Sequence, residues 1–255
     1  MTVSQFIILF FLAFSIENQG LEDAIKVSVF QNDKAQIQAS KDDGLSVKLN
    51  ETLDAKLIID ALEKGAVADN KWVLANKQNP LPKGFAPKDI IKAKVKQKYG
   101  NTTVSKVMHS DLVALFEAAS KDGIVLVLSS GYRDYGFQAS LYQQQVKKVG
   151  EKEANRWVAK PGESEHQTGL AVDITSREVE LKLTQEFEQT KAFEWLSAHA
   201  ADFGFILRYP KGKEDETGYS YEPWHYRYLG DPKAARYIQE NGVTLEAFIK
   251  ELKTQ

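Results

Sequence analysis

The chain has 255 residues, enough to bury a substantial core as one main domain with a smaller N-terminal addition. Its 43% hydrophobic and 27% charged residues are ordinary for a soluble globular protein, and a formal net charge of −2 with no basic stripe argues against a nucleic-acid partner. Cysteine is absent, which excludes a disulfide scaffold, a thiol nucleophile, thiolate-bound zinc and lipid attachment through an N-terminal Cys, so any zinc must be held by His, Asp or Glu.

In chain order, the apolar run Phe6–Ile16 comes first. It is short for a membrane span, which needs roughly 20 residues, but suits the core of a secretory signal. No Lys or Arg precedes it and its small-x-small pattern, Ala13-Phe14-Ser15, is a poor cleavage site. Residues 1–20 are therefore read as a signal peptide or an uncleaved N-terminal anchor, with a buried strand or helix as the alternative. Residues 21–66 carry no visible chemistry. Alternation at Ile25–Val29 predicts a strand, and Leu53–Lys64 predicts a short helix ending at Gly65. The Pro/Gly/Asn-rich stretch Asn76–Pro87 predicts an extended loop leading into a main domain placed at 67–255.

From Val104 to Ala119 apolar residues recur at helical spacing, with Gly123 placed for a C-cap. Ile124–Leu128 predicts a buried strand that runs into Ser130-Gly131-Tyr132-Arg133. Helices are predicted from Tyr135 to Val149, stopped by Gly150, and from Glu151 to Ala159. Gly169–Thr175 alternates as a strand that puts Ala171, Asp173 and Thr175 on one face. A helix over Ala192–Phe203 precedes strand Phe205–Tyr209, a charged loop over Lys211–Gly218 and strand His225–Leu229. Asp231-Pro232 opens another helix, and Thr244 caps the last. Helices and strands mix without a repeating strand–helix unit, which predicts an α+β fold with a small mixed or antiparallel sheet and flanking helices.

Half of the four histidines fall in two motifs, Ser164-Glu165-His166-Gln167-Thr168-Gly169-Leu170-Ala171-Val172-Asp173 and Glu222-Pro223-Trp224-His225. Together they supply two imidazoles, one carboxylate for a metal and one spare carboxylate, which is what a catalytic zinc with an open position and a general base requires. Two imidazoles with a carboxylate favour zinc over calcium or magnesium. A lone histidine is usually a hydrogen-bonded or surface residue, and His109 and His199 are assigned to structure on that ground. The pair in the motifs differs, because each sits with carboxylates in a Gly- or Pro-bounded context. Tyr221, Trp224 and Tyr226 are expected to wall the site. Arg133, after a buried strand and between Gly131 and Gly136, reads as a site-loop residue. Lys147-Lys148 and Glu214-Asp215-Glu216 read as solvated surface charges.

Ser-Gly-Tyr-Arg at 130–133 with Gln138, Pro-Gly-Glu-Ser-Glu-His-Gln-Thr-Gly-Leu-Ala-Val-Asp at 161–173, and Glu-Pro-Trp-His-Tyr-Arg-Tyr-Leu-Gly at 222–230 resemble the VanY-type D-alanyl-D-alanine carboxypeptidases. These are zinc peptidases of the M15 family that trim peptidoglycan stem peptides. The segment Trp72–Pro87 is also similar to that family's lead-in, so the resemblance covers about residues 70–230 and leaves 21–66 uncovered. It implies a Hedgehog/D,D-peptidase-like fold. It further implies one Zn2+ per chain on His166, Asp173 and His225, Glu222 as catalytic base, and Arg133, Gln138 and Ser164 on the substrate's terminal carboxylate. The implied partners are peptidoglycan stem peptides, with no protein partner and a membrane only through the N-terminal segment, for a bacterial protein secreted or on the outer face of the envelope. Rival expectations are an L,D-carboxypeptidase, a D-Ala-D-Ala dipeptidase, an L-alanyl-D-glutamate endopeptidase, or a non-catalytic wall-binding or signalling module, which would have no need of Glu222.

Overall fold

A computed structural model of the chain describes residues 54–254. The apolar run Phe6–Ile16, the strand expected at Ile25–Val29 and the rest of residues 1–53 lie outside the described residues. The first element, α1 (Ala55–Glu63), is capped by Asp54, whose Oδ1 accepts from Leu57 N at 3.1 Å. Gly65, at φ +61°, ends it, and Asn70 Nδ2 donates to Ala61 O and Gly65 O to close its last turn. The helix belongs to the same compact unit as the remainder, Leu53–Gln255.

Two short strands, β1 (Ile90–Lys92) and β2 (Thr103–Ser105), pair antiparallel ahead of α2 (Lys106–Lys121). Val104, expected in the helix, instead lies in β2. The helix buries Met108, Leu112, Leu115, Phe116 and Ala119. With Leu112 and Leu115 fully buried, truncating either to Ala should cost about 2–5 kcal/mol. Gly123 takes φ +77° and Ile124 N donates to Ala119 O at 2.8 Å, closing the helix with a Schellman motif. That bond explains why the next strand starts late. β3 is Val127–Ser130 rather than Ile124–Leu128, because Ile124 finishes the helix and Val125 is 49% exposed.

Helix α3 (Tyr135–Val149) starts on its Asp134 cap and breaks at Gly150, from which α4 (Glu151–Trp157) continues. A 3₁₀ turn, Glu165–Thr168, leads through Gly169 at φ +68° into β4 (Ala171–Thr175). Then come α5 (Lys191–His199), a 3₁₀ turn at Ala200–Phe203 and β5 (Phe205–Leu207). The expected loop at 211–218 holds one helical turn, α6 (Glu214–Thr217). β6 (His225–Tyr228), α7 (Pro232–Asn241) and α8 (Leu245–Lys253) complete the described chain. Asp231 and Thr244 cap α7 and α8 as their sequence contexts predict.

The main sheet is four-stranded and antiparallel, in the order β3-β4-β6-β5. Leu128, Val172, Ile174, Tyr226 and Tyr228 enter the hydrophobic core with the apolar face of α2 and with Trp195 and Leu196 of α5. Strand alternation then sends Asp173 and His225 to the other face. These two residues are direct cross-strand partners, and Asp173 is also opposite Ser130. A register shift between Leu128 and Ser130 introduces an extra residue at Ser129, so β3 is bulged beside the two polar groups. The result is an α+β architecture with an antiparallel sheet and flanking helices, as the sequence predicts.

Candidate metal centre and active site

His166, Asp173 and His225 each offer a ligand atom, and the three atoms lie within 4.8 Å of one another. Asp173 Oδ1 is 3.3 Å from His166 Nε2 and 3.1 Å from His225 Nδ1. Zinc bonds of roughly 2.0–2.1 Å in a tetrahedron put neighbouring ligand atoms about 3.4 Å apart, so the donor set fits this metal. The ring of His166 is anchored from behind by Nδ1 and Gly131 O at 2.7 Å, which assigns the proton to Nδ1 and leaves Nε2 as a lone-pair donor. The two rings stand edge to face with centroids 4.9 Å apart. All three residues are buried, and a zinc ion held there would take two imidazoles in their neutral form and one carboxylate.

Glu222 sits beside this set. Its backbone N–H donates to Tyr209 O, its carbonyl accepts from His225 N, and its Oε2 lies 3.8 Å from His225 Nδ1. Burial pushes the Glu222 carboxyl up to about 8; the Asp173 charge adds to this while His225 and Arg133 oppose it. Burial works against the charge on Asp173, but His166 and Arg133 outweigh it and hold the carboxyl well below its usual range. The imidazole of His166 is carried down to about 4 by burial and by the Arg133 charge, against the pull of Asp173. For His225 burial acts downward too, yet the hydrogen bond to Asp173, the nearby Glu165 carboxylate and the charges of Asp173 and Glu222 carry it up to about 9.

The set opens onto a cleft of about 600 Å³ also lined by Arg133, Gln138 and Ser164. Arg133 Nη2 donates to Asp173 Oδ2 at 2.6 Å and its Nε to Ser130 Oγ at 2.9 Å. Among the described residues its Nη1 has no partner. Gln138, almost wholly buried, spends an Nε2 hydrogen on Ala159 O at 2.8 Å and leaves Oε1 without a partner. Ser164 is buried at the cleft's edge.

The aromatic walls differ from expectation. Trp224 lines the cleft, but Tyr226 alternates into the core, and Tyr209 and Tyr219 take its place, with the Tyr209 ring 4.8 Å from that of His225. The charged triplet Glu214-Asp215-Glu216 is exposed as read, although Glu216 also accepts from Thr244 Oγ1. Lys148 is exposed and sits at the cleft's edge, and His109 and His199 stand apart from the cleft lining. Glu165 was not singled out in the sequence. It is fully buried next to His225, with Arg208 and Arg227 on its other side. Only the partners make it conspicuous, and they arrive from the residue that follows β5 and from β6, 43 and 62 residues away.

Residues 101–231 match the family described as VanY: D-alanyl-D-alanine carboxypeptidase. The chain is 42% identical over 199 residues to YodJ of Bacillus subtilis (strain 168), covering 76% of this chain and 72% of that one. Among solved structures, the LdcB LD-carboxypeptidase matches with TM-score 0.68 and 42% identity, over 71% of this chain and 86% of that one. A vancomycin-resistance D,D-pentapeptidase VanY in complex with Zn(II) matches with TM-score 0.58 and 34% identity, over 69% and 97%.

Proposed function

Because the chain belongs to the VanY family of D-alanyl-D-alanine carboxypeptidases, we propose that it removes the terminal D-alanine of peptidoglycan stem peptides with one zinc held by His166, Asp173 and His225. The observation that carries this reading is the convergence of those three ligand atoms within 4.8 Å, beside a buried carboxylate, in a cleft.

Zinc bound there supplies Lewis-acid polarisation of the scissile carbonyl and brings the pKa of a water down to about 7. Glu222 Oε2 takes the proton from the attacking water and returns it to the departing D-alanine amine. Its burial suits that work, since a carboxyl raised toward neutrality both accepts and gives up a proton near pH 7. Arg133 Nη1 and Ser164 Oγ are the donors for the substrate's terminal carboxylate. Gln138 presents an acceptor, Oε1, so it matches a substrate N–H better than a carboxylate. Trp224, Tyr209 and Tyr219 limit water around the reacting groups.

The apolar run at residues 6–16 supports export to the outer face of a bacterial envelope, where such peptides are found. The likeness to LdcB favours a second reading, L,D-carboxypeptidase action on tetrapeptide stems. Incubating zinc-loaded protein with defined tetra- and pentapeptides and weighing the fragments separates the two: pentapeptide trimmed once supports D,D activity, and tetrapeptide trimmed to tripeptide supports L,D activity. Loss of neither terminal residue would overturn both.

A further inference from the structure

Glu165 is a buried carboxylate beside the metal set that the reaction described above leaves unused. Its Oε1 accepts from Arg208 Nε and Arg227 Nη1, both at 2.8 Å, and all three side chains are fully buried. Its Oε2 has no hydrogen-bond partner among the described residues. Neither does His225 Nε2, and these two buried atoms face each other at 3.6 Å. An unpartnered acceptor opposite an unpartnered ring nitrogen, both shut off from water, is costly unless the nitrogen carries a proton directed at the oxygen.

We infer that Glu165 is a positioning residue: it holds His225 with Nε2 protonated, so that Nδ1 presents its lone pair to Asp173 and the metal. This rests on the zinc reading above. The two histidines would then coordinate through different nitrogens, His166 through Nε2 because Gly131 O engages its Nδ1, and His225 through Nδ1 because Glu165 engages its Nε2. Glu165 is itself anchored from two distant elements. Arg227 Nη2 donates to Lys71 O and Val73 O, and Arg208 donates to Glu246 at the start of α8. Two guanidinium groups thus stand against the two carboxylates of Glu165 and Glu246.

The alternative is that Glu165 only neutralises the two arginines. Zinc-loaded full-length protein is titrated with a chromophoric chelator to compare zinc affinity in wild type, Glu165→Gln and Glu246→Gln. A glutamine cannot serve both neighbours: its oxygen suits the guanidinium groups and its NH2 then meets the ring N–H. Glu165→Gln should weaken zinc roughly 10–100-fold. Glu246→Gln, which breaks the same charged ladder away from His225, should lower Tm and leave zinc affinity unchanged. Equal zinc affinity in wild type and Glu165→Gln, or an equal loss in both variants, would overturn the positioning role. Should Glu165→Gln not fold, ¹⁵N spectra of zinc-loaded wild type decide: a protonated Nε2 and metal-bound Nδ1 on His225 support it, and coordination through Nε2 refutes it. Absence of zinc binding by wild type would instead remove the metal reading itself.

Discussion

Arg133 holds Asp173 by a single guanidinium contact, Nη2 to Oδ2 at 2.6 Å, while its Nη1 stays without a protein partner among the described residues. On the proposed reading, one side chain would fix a metal ligand and still bind a substrate carboxylate. A charge-assisted hydrogen bond contributes on the order of 1.5–3 kcal/mol, or roughly 10–150-fold in kcat/KM. A pentapeptide amidated at its C-terminus should be slower than the free acid by about that factor, and Arg133→Ala should narrow the gap. Arg133→Lys should recover little, because an ammonium cannot reproduce the fork. Equal wild-type rates on acid and amide would remove the carboxylate-binding role.

Zinc content separates ligands from base. His166→Ala and His225→Ala should lose zinc or bind it far more weakly, measured by metal analysis after dialysis. Full stoichiometry in His225→Ala would take that residue out of the centre.

Glu222→Gln should keep both zinc and fold and lose turnover by roughly 10²–10⁴, the range for a general base. Stoichiometric loss of metal in this variant would make Glu222 a ligand instead.

Metal-stripped protein should lose stability as pH rises from about 6.5 to 9. The folded-state values of His225, about 9, and Glu222, about 8, lie above those of the unfolded chain. Groups raised on folding stabilise below their unfolded pKa and cease to do so as pH passes the folded one. His166 acts oppositely: its folded value of about 4 makes its contribution present above about 6.5 and lost on acidification. Zinc requires neutral imidazoles, so its stabilisation should grow through the alkaline window. Thermal melts with and without zinc across this range test the sign; a Tm of the stripped protein that climbs toward pH 9 would refute it.

Gly131→Ala should damage the centre from behind. A Cβ at this position would stand 2.3 Å from Thr103 O, a backbone atom that cannot swing away, and the Gly131 carbonyl anchors His166. Overpacking of this kind costs about 1–3 kcal/mol. The expected result is a lower Tm together with weaker zinc binding; a variant with wild-type values for both would show that the strand end yields freely.

The end of helix α3 at Gly150 and the caps of α7 and α8 were legible because each signal is local, set by one residue and the backbone groups next to it. The convergence of His166, Asp173 and His225 was legible for a different reason: the chain has only four histidines, and two of them fall in motifs with carboxylates. The start of β3 was not, because the Schellman closure that consumes Ile124 competes with strand pairing for the same apolar run. Nor was the role of Tyr209 or the burial of Glu165, since neither has meaning until β5 and β6 are laid beside the 3₁₀ turn. Tyr226 is not a wall because alternation along β6 turns it into the core, and Tyr221, ahead of that strand, lies off the cleft lining.

The pairing of Asp173 with His225 across β4 and β6 has a consequence for how the chain reaches its fold. Sliding one strand past the other by a single residue would send one ligand into the apolar layer and bring Val172 or Tyr226 to the metal side. Misaligned sheets therefore have no centre with which to capture the ion. An ion bound by these residues would withdraw only the correctly aligned chains from the folding ensemble, and would so act as a proofreader of strand alignment.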